Sequence, residues 1–474
     1  MAQTLRPDIC VIGAGSGGLS VAAGAAQFGL DVVLIERGRM GGDCLNYGCV
    51  PSKALIAAAH RAHVAANSAP FGIAASEQEV DFAAAMGHVH RTIQAIAPND
   101  SVERFTGLGV KVIEEEGRFV SPAEVQAGNV TIAARRFVVA TGSGPMVPPI
   151  TGLADTPYLT NETIFDLEKR PEHLVVLGGG PIGLELAQAF CRLGSRVTVA
   201  EAFTPLGKDD RELASVVLDR LASEGIDVRA PAKVSAVEHK RGRFTLTLDE
   251  ETGGGQIGGT HLLVAAGRAT NVAGLGLDEA RIKFSRSGIV VDSALRTTNR
   301  KVFAIGDVAG RQQFTHIANY HAGLVLRSIM MRWSHRVSDA AVPWVTYTDP
   351  ELAWVGPSIE EAEKRHRNIR IQRWPMAEND RAQAERETEG MVKLVTTKKG
   401  RLIAGGIAAA HAGELIQPLV LAVTQRLDIK ALTGMIVPYP TRGEAVKRAA
   451  YSYYAPLLLK SRLPGIARFL VRHF

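Results

Sequence analysis

The chain of 474 residues predicts an α/β fold, with two Rossmann-like dinucleotide-binding domains followed by an α+β C-terminal domain. Three observations lead there. A glycine-rich turn, Gly13-Ala-Gly15-Ser-Gly-Gly18, lies near the start between an apolar strand and an alanine-rich helix. The same design returns as Gly178-Gly-Gly180-Pro-Ile-Gly183. Between them, Gly41-Gly-Asp-Cys-Leu-Asn-Tyr-Gly-Cys-Val-Pro-Ser-Lys53 places Cys44 and Cys49 just after the first unit.

Asp8 to Ile12 reads as a buried strand, Leu19 to Phe28 as a helix, and Asp31 to Ile35 as a second strand ended by Glu36. Gly13 suits the tight turn, Gly15 lets backbone approach a pyrophosphate, and Gly18 allows close helix–strand packing. The helix N-terminus favours phosphate charge, and Glu36 is placed to accept from a ribose hydroxyl. In the second unit Leu174 to Leu177 is a strand, Leu184 to Leu193 a helix and Arg196 to Ala200 the next strand, ended by Glu201. One constant shift carries Gly13, Gly15, Gly18, Gly29 and Glu36 onto Gly178, Gly180, Gly183, Gly194 and Glu201. The chain therefore carries two dinucleotide sites of one design.

The C-x4-C spacing of Cys44 and Cys49 is wider than the usual thioredoxin motif, and no second pair completes a zinc site. A cysteine pair beside a bound dinucleotide is the layout of a redox relay. A nucleophilic sulfur must be thiolate. The alanine-rich stretch Ala54 to Ala66 reads as a helix with Pro51 in its first turn, and a helix N-terminus favours negative charge nearby.

Composition is that of an ordinary soluble globular protein. Hydrophobic content is 46% and charged content 22%. The net charge of +6 is spread along the chain, with no basic block interleaved with aromatics, so nucleic-acid binding is not expected. Four cysteines in so long a chain make no disulfide scaffold. Cys10 and Cys191 read as buried free thiols, and a cytoplasmic location is expected. No signal peptide is evident, and the glycines between Ile9 and Leu30 favour strand, turn and helix over a membrane span.

These motifs together resemble the class I pyridine nucleotide–disulfide oxidoreductases, the family of dihydrolipoamide dehydrogenase, glutathione reductase and mercuric reductase. Gly41 to Lys53 is similar to the redox-cysteine motif, and Ala140-Thr-Gly142-Ser to the return strand of the flavin domain. Ala266-Gly-Arg268 resembles the end of the nicotinamide domain, and Ala304-Ile-Gly306-Asp307 the second flavin motif. Pro343 to Gly356, with Tyr347-Thr-Asp-Pro-Glu351, resembles the start of the dimerisation domain. The resemblance implies an FAD-binding domain over residues 1–150 and 268–340, an NAD(P)H-binding domain over 151–267, and a dimerisation domain over 341–474. In the last, strands are expected near Val342–Val355 and Met391–Ile407, and helices near Glu360–Arg365 and Ile416–Leu427. Glu250 to Gly259 reads as a flexible hairpin loop.

The resemblance also assigns residues. FAD would be held by Gly13, Gly15, Gly18, Glu36, Gly42, Lys53, Gly117, Thr141, Gly142, Asp307 and Thr315. The nicotinamide cofactor would be held by Gly178, Gly180, Gly183, Glu201 and Gly267. Electrons would pass from the nicotinamide through FAD to a Cys44–Cys49 disulfide, Cys49 being the sulfur beside the flavin and Cys44 the interchange thiol. Lys53 and Glu185 would meet where hydride arrives. Glu201 favours NADH, with NADPH as the alternative, since a carboxylate repels a 2′-phosphate.

One departure matters. Dihydrolipoamide dehydrogenase and glutathione reductase carry a C-terminal histidine, supplied by the partner subunit as acid–base. Here the segment is Tyr439-Pro-Thr-Arg-Gly-Glu444, with Tyr439 in the histidine's place and Glu444 retained. A phenol with an ordinary pKa near 10 is a poor substitute at neutral pH. Mercuric reductase also has tyrosine there, but the C-terminal cysteine pair of that enzyme is absent from Arg468 to Phe474. A homodimer passing electrons to a metal ion or disulfide is expected. A dihydrolipoamide dehydrogenase, an NADH-driven quinone reductase or oxidase, and a non-catalytic dinucleotide-binding module remain alternatives. His60 with His63, and His88 with His90, read as solvated polar faces, and no metal site is expected. The basic tail from Tyr453 to Phe474 suits a membrane-surface helix by composition, but Pro456 and Pro464 interrupt it, and a subunit-packing tail is the simpler reading.

Overall fold

A computed structural model describes residues 3–74, 79–331, 335–456 and 463–473. The chain forms two compact units, one of residues 1–202 and 229–337, the other of residues 203–228 and 338–474.

In the first unit the early apolar runs assemble into a five-stranded parallel sheet. Its order is Val302–Ala304, Arg136–Val139, Ile9–Ile12, Val32–Ile35, Val110–Ile113. The two strands flanking the first glycine turn are buried at every position. That is why they read as continuous apolar runs, since a parallel sheet is covered on both faces. The helix Ser16–Gln27 packs with Thr315–Met330 on one face, while Phe119, Phe137 and Ile132 fill a core on the other.

The second glycine turn repeats this arrangement. His173–Leu177 lies in parallel register between Arg196–Ala200 and His261–Val264, and the helix Pro181–Arg192 follows the turn. The segment expected as a loop is half strand. Gly253, Gly254 and Gly255 turn the chain with positive φ, and Gln256–Gly259 then pairs with Arg243–Leu248. Ile257 supplies the reason, because it is buried in the core beneath.

The second unit is built on an antiparallel sheet of five strands. Its order is Pro343–Thr346, Glu351–Val355, Leu402–Ala409, Met391–Thr397, Ile369–Pro375. The strands expected near Val342–Val355 and Met391–Ile407 are present, each region forming a hairpin. Tyr347 to Pro350 turns the first and Lys398 to Arg401 the second. The central strand is buried throughout, and Gly406 leaves room for its neighbours: a Cβ there would lie 2.3 Å from the Trp354 ring and 2.6 Å from Leu213. Leu213 belongs to the helix Arg211–Ser223, tied down by buried Lys393, which bonds Asp210 at 2.7 Å and Glu212 at 2.8 Å. The expected helices are present as Ile359–Arg365 and Gln417–Thr424. No described helix is long and apolar enough to cross a membrane.

Candidate functional site

The two glycine turns are alike in space as well as in sequence. Gly13 and Gly178 have φ of +103° and +119°, and a Cβ on either would lie 2.5 Å from a carbonyl oxygen, that of Ala140 or Ala265. A Cβ on Gly18 would meet the Gly13 carbonyl oxygen at 1.8 Å, and one on Gly183 the Gly178 oxygen at 2.0 Å. These four positions are glycine because the chain itself crowds them. Gly15 and Gly180 differ: a Cβ on either would touch nothing within 4 Å. Open space before a helix N-terminus fits a pyrophosphate, so the second glycine of each turn is left to a ligand. Glu36 accepts from the Ala14 amide at 2.6 Å, and Glu201 from the Gly179 amide at 2.7 Å. Each acid thus brackets its turn from the end of the second strand. These cradles fit two dinucleotides.

The redox segment packs directly on the first cradle. The Gly41 amide donates to the Ala14 carbonyl at 3.0 Å, and a Cβ on Gly42 would lie 2.7 Å from the Gly15 Cα. Cys44 sits in the short helix Gly42–Asn46. Cys49 opens the next helix, Cys49–Ala66, which starts earlier than Ala54 because Pro51 falls in its first turn, where no backbone N–H is needed.

The two sulfurs are unbonded thiols. Cys49 is held down to about 6, first by the hydrogen bond from Cys44, then by that of Thr315, 3.4 Å away, and by the nearby Lys53 ammonium. Cys44 is pushed well up, first by that same bond to Cys49 and then by burial. The pair thus holds its proton on Cys44 and its negative charge on Cys49, in the first turn of a helix whose dipole favours it. Burial alone pushes the Cys10 thiol far up, so it is inert; Cys191 is half-buried rather than buried.

Lys53 and Glu185 meet. The ammonium lies 2.8 Å from the Glu185 carboxylate, which is almost fully buried in the helix after the second cradle. Gly117 presses on Ile35, where a Cβ would lie 3.2 Å away. Thr141 is fixed by reciprocal bonds with Asn271, both 2.9 Å, and Gly142 takes φ of +68°. Gly267, at φ of +133°, accepts from the Met146 amide.

A polar network absent from the sequence reading joins these parts. Asp307 accepts from the Ser143 hydroxyl at 2.5 Å, and Ser143 accepts from Arg268 Nε at 2.8 Å. The same guanidinium lies 3.0 Å from Asp43, which also accepts from Asn161 at 3.1 Å. Burial pushes the Asp307 carboxyl up, while Ser143 and Arg268 oppose that rise. Asp43, Ser143 and Arg268 all lie inside motifs quoted above. No periodicity or spacing marked them as partners.

Tyr439 lies in the second unit, exposed, and donates to Asp380 at 2.6 Å. That bond pushes its hydroxyl above the ordinary phenol value. Glu444 begins the helix Glu444–Ser452 and is paired with Arg448 at 2.8 Å. Asp380 was not legible as a site residue, since it stands far from Tyr439 in sequence. Among the described residues no cluster of histidine, cysteine and carboxylate could hold a metal ion, and the His60/His63 and His88/His90 pairs form none.

Residues 7–322 match the pyridine nucleotide–disulphide oxidoreductase family, and residues 342–450 match the dimerisation domain of that family. A mercuric reductase of Streptomyces lividans is 35% identical over 94% of this chain and 96% of its own. A dihydrolipoyl dehydrogenase of Geobacillus stearothermophilus is 32% identical, over 94% and 96%. Among solved structures, the HOCl-induced flavoprotein disulfide reductase RclA of Escherichia coli superposes with a TM-score of 0.85 at 26% identity, over 94% of this chain and 99% of that one. The chain belongs to the pyridine nucleotide–disulfide oxidoreductase family. It is an FAD-dependent enzyme that draws electrons from NAD(P)H.

Proposed function

We propose that the enzyme works as a homodimer and passes electrons from NADH, through FAD, to the Cys44–Cys49 pair and on to a metal ion or a disulfide. The observation that carries this reading is the seating of the pair: Cys44 lies in the helix Gly42–Asn46, and Cys49 opens the helix Cys49–Ala66, 3.4 Å from the Thr315 hydroxyl and four residues before Lys53, itself paired with Glu185. FAD would lie in the first cradle, against Gly13, Gly15, Gly18, Glu36, Gly42, Gly117, Thr141, Gly142, Asp307 and Thr315, within residues 1–150 and 268–340. NADH would lie in the second, against Gly178, Gly180, Gly183, Glu201 and Gly267, within residues 151–267. Bound FAD would take a hydride from NADH and return two electrons to the disulfide.

The residues of the chain do the rest. Two electrons break the S–S bond; Cys44 takes up the one proton that the hydride supplies, and Cys49 is left as thiolate. Thr315 and the Lys53 ammonium hold that charge, and Glu185 holds Lys53 in place. Cys44 is the sulfur offered to the acceptor, and its proton passes to solvent as the sulfur bonds to the acceptor, since the nucleophilic form is the thiolate. Tyr439 of the partner subunit would face it with its own proton committed to an aspartate. That arrangement supports acceptors needing no general acid, above all a metal ion. The mercuric reductase relatives and the solved Cu(II) complex of RclA support the same choice.

The test is NADH oxidation by the purified protein with metal ions, disulfides and quinones as acceptors, repeated with Cys44→Ser. Turnover of metal ions or disulfides should vanish in the variant. Undiminished turnover of both would overturn the reading and leave the cysteines as mere electron stores.

A further inference from the structure

The matched dimerisation domain ends at residue 450, and the helix Leu463–His473 lies beyond it. Every residue from Gly465 to His473 is exposed. Ile466, Phe469, Leu470 and Val471 are between 49% and 83% exposed, although they are the largest apolar side chains of that stretch. At 100° per residue, Ile466, Ala467, Leu470 and Val471 share one side. Arg468 and Arg472 stand one turn apart on the other. Phe469 stacks on His473 at 4.4 Å along the flank. From Ala445 to Phe474 the sequence has no aspartate or glutamate, against Lys447, Arg448, Lys460, Arg462, Arg468 and Arg472.

An apolar stripe left open to water needs a cover. The same helix from a second copy would cover the stripe but would bring no acid to answer Arg468 and Arg472, since none lies between Ala445 and Phe474. An anionic bilayer complements both faces, with headgroup charge for the arginines and acyl boundary for the stripe. We propose that Leu463–His473 lies flat in the headgroup layer of an anionic membrane and holds the enzyme reversibly at its surface. The proposal is independent of the electron acceptor.

The experiment is co-sedimentation of the FAD-loaded full chain with vesicles of phosphatidylcholine alone, or of phosphatidylglycerol mixed with phosphatidylcholine. The protein should pellet with the mixed vesicles at low salt and stay in solution with phosphatidylcholine. Arg468→Gln with Arg472→Gln should weaken binding by about 30-fold, from the attraction of each arginine to an anionic surface. Val471→Glu should abolish binding while flavin content and light-scattering mass are unchanged. Failure to pellet with the mixed vesicles would overturn the proposal. So would binding indifferent to the arginines, or a fall to monomer mass in the Val471→Glu variant, which would make the helix a subunit contact.

Discussion

Replacing Arg268 with methionine should destabilise the first unit through charge rather than shape. Methionine keeps much of the stem but removes the bonds to Ser143 Oγ and Ser143 O, both 2.8 Å, and the pair with Asp43 at 3.0 Å. Arg268 is only 15% exposed, so these contacts are poorly screened by water. Breaking a buried pair costs about 3–5 kcal/mol when the remaining charge is left bare. Here neither carboxylate is bare, because Asp43 still accepts from Asn161 and Asp307 from Ser143. A loss of about 3 kcal/mol follows, from charged hydrogen bonds worth roughly 1.5–3 kcal/mol each with part of that recovered by the remaining donors. The pH dependence has a definite sign. Burial already raises the Asp307 carboxyl, and Arg268 is one of the groups opposing the rise. A carboxyl raised in the folded state lowers stability once it must ionise, so the penalty is absent below its unfolded value and grows as pH rises through its folded value. Without Arg268 the penalty is larger. The urea midpoints of the FAD-loaded wild type and variant should therefore differ most near pH 7 and converge towards pH 4. An equal gap at both pH values would show that the loss is packing alone and that the electrostatic account of the network is wrong.

Three further outcomes are expected. In the reduced enzyme, alkylation of Cys49 by iodoacetamide should rise through a midpoint of about 6, read by peptide mass; a midpoint at the ordinary thiol value would remove the proposed thiolate. Tyr439→His should raise turnover of lipoamide or glutathione disulfide by about 10²-fold, the low end of what general acid–base catalysis supplies; wild-type turnover already equal to that of a dihydrolipoamide dehydrogenase would refute the argument from the missing histidine. The kcat/KM for NADH should exceed that for NADPH, because the Glu201 carboxylate ends the strand beside the second cradle; a clear NADPH advantage would show that nearby basic groups outweigh it.

Much of this molecule is local, and what is local was legible. The glycine turns could be read because each role depends on backbone within a few residues. Gly18 faces the Gly13 carbonyl, and Gly183 the Gly178 carbonyl, in any chain that makes this turn. Fully buried strands betray themselves as apolar runs, and the terminal acids Glu36 and Glu201 stand at a fixed distance from their cradles. The cysteine pair and its helix were legible for the same reason. The two hairpins of the second unit were not, because a strand and its turn differ only in which side chains find a core to enter. Charge partners were the least legible. Lys53 and Glu185 are the exception, since the family resemblance implied their meeting; Cys49 finds Thr315, Arg268 joins Asp43 to Asp307, and Tyr439 donates a hydrogen bond to Asp380, each made by residues distant in sequence. The amino-acid sequence by itself determined that two dinucleotides and a redox pair would share one chain. Only tertiary packing decided which sulfur is charged and which carboxylate is paired, because those depend on burial and on distances between elements that strand order alone brings together.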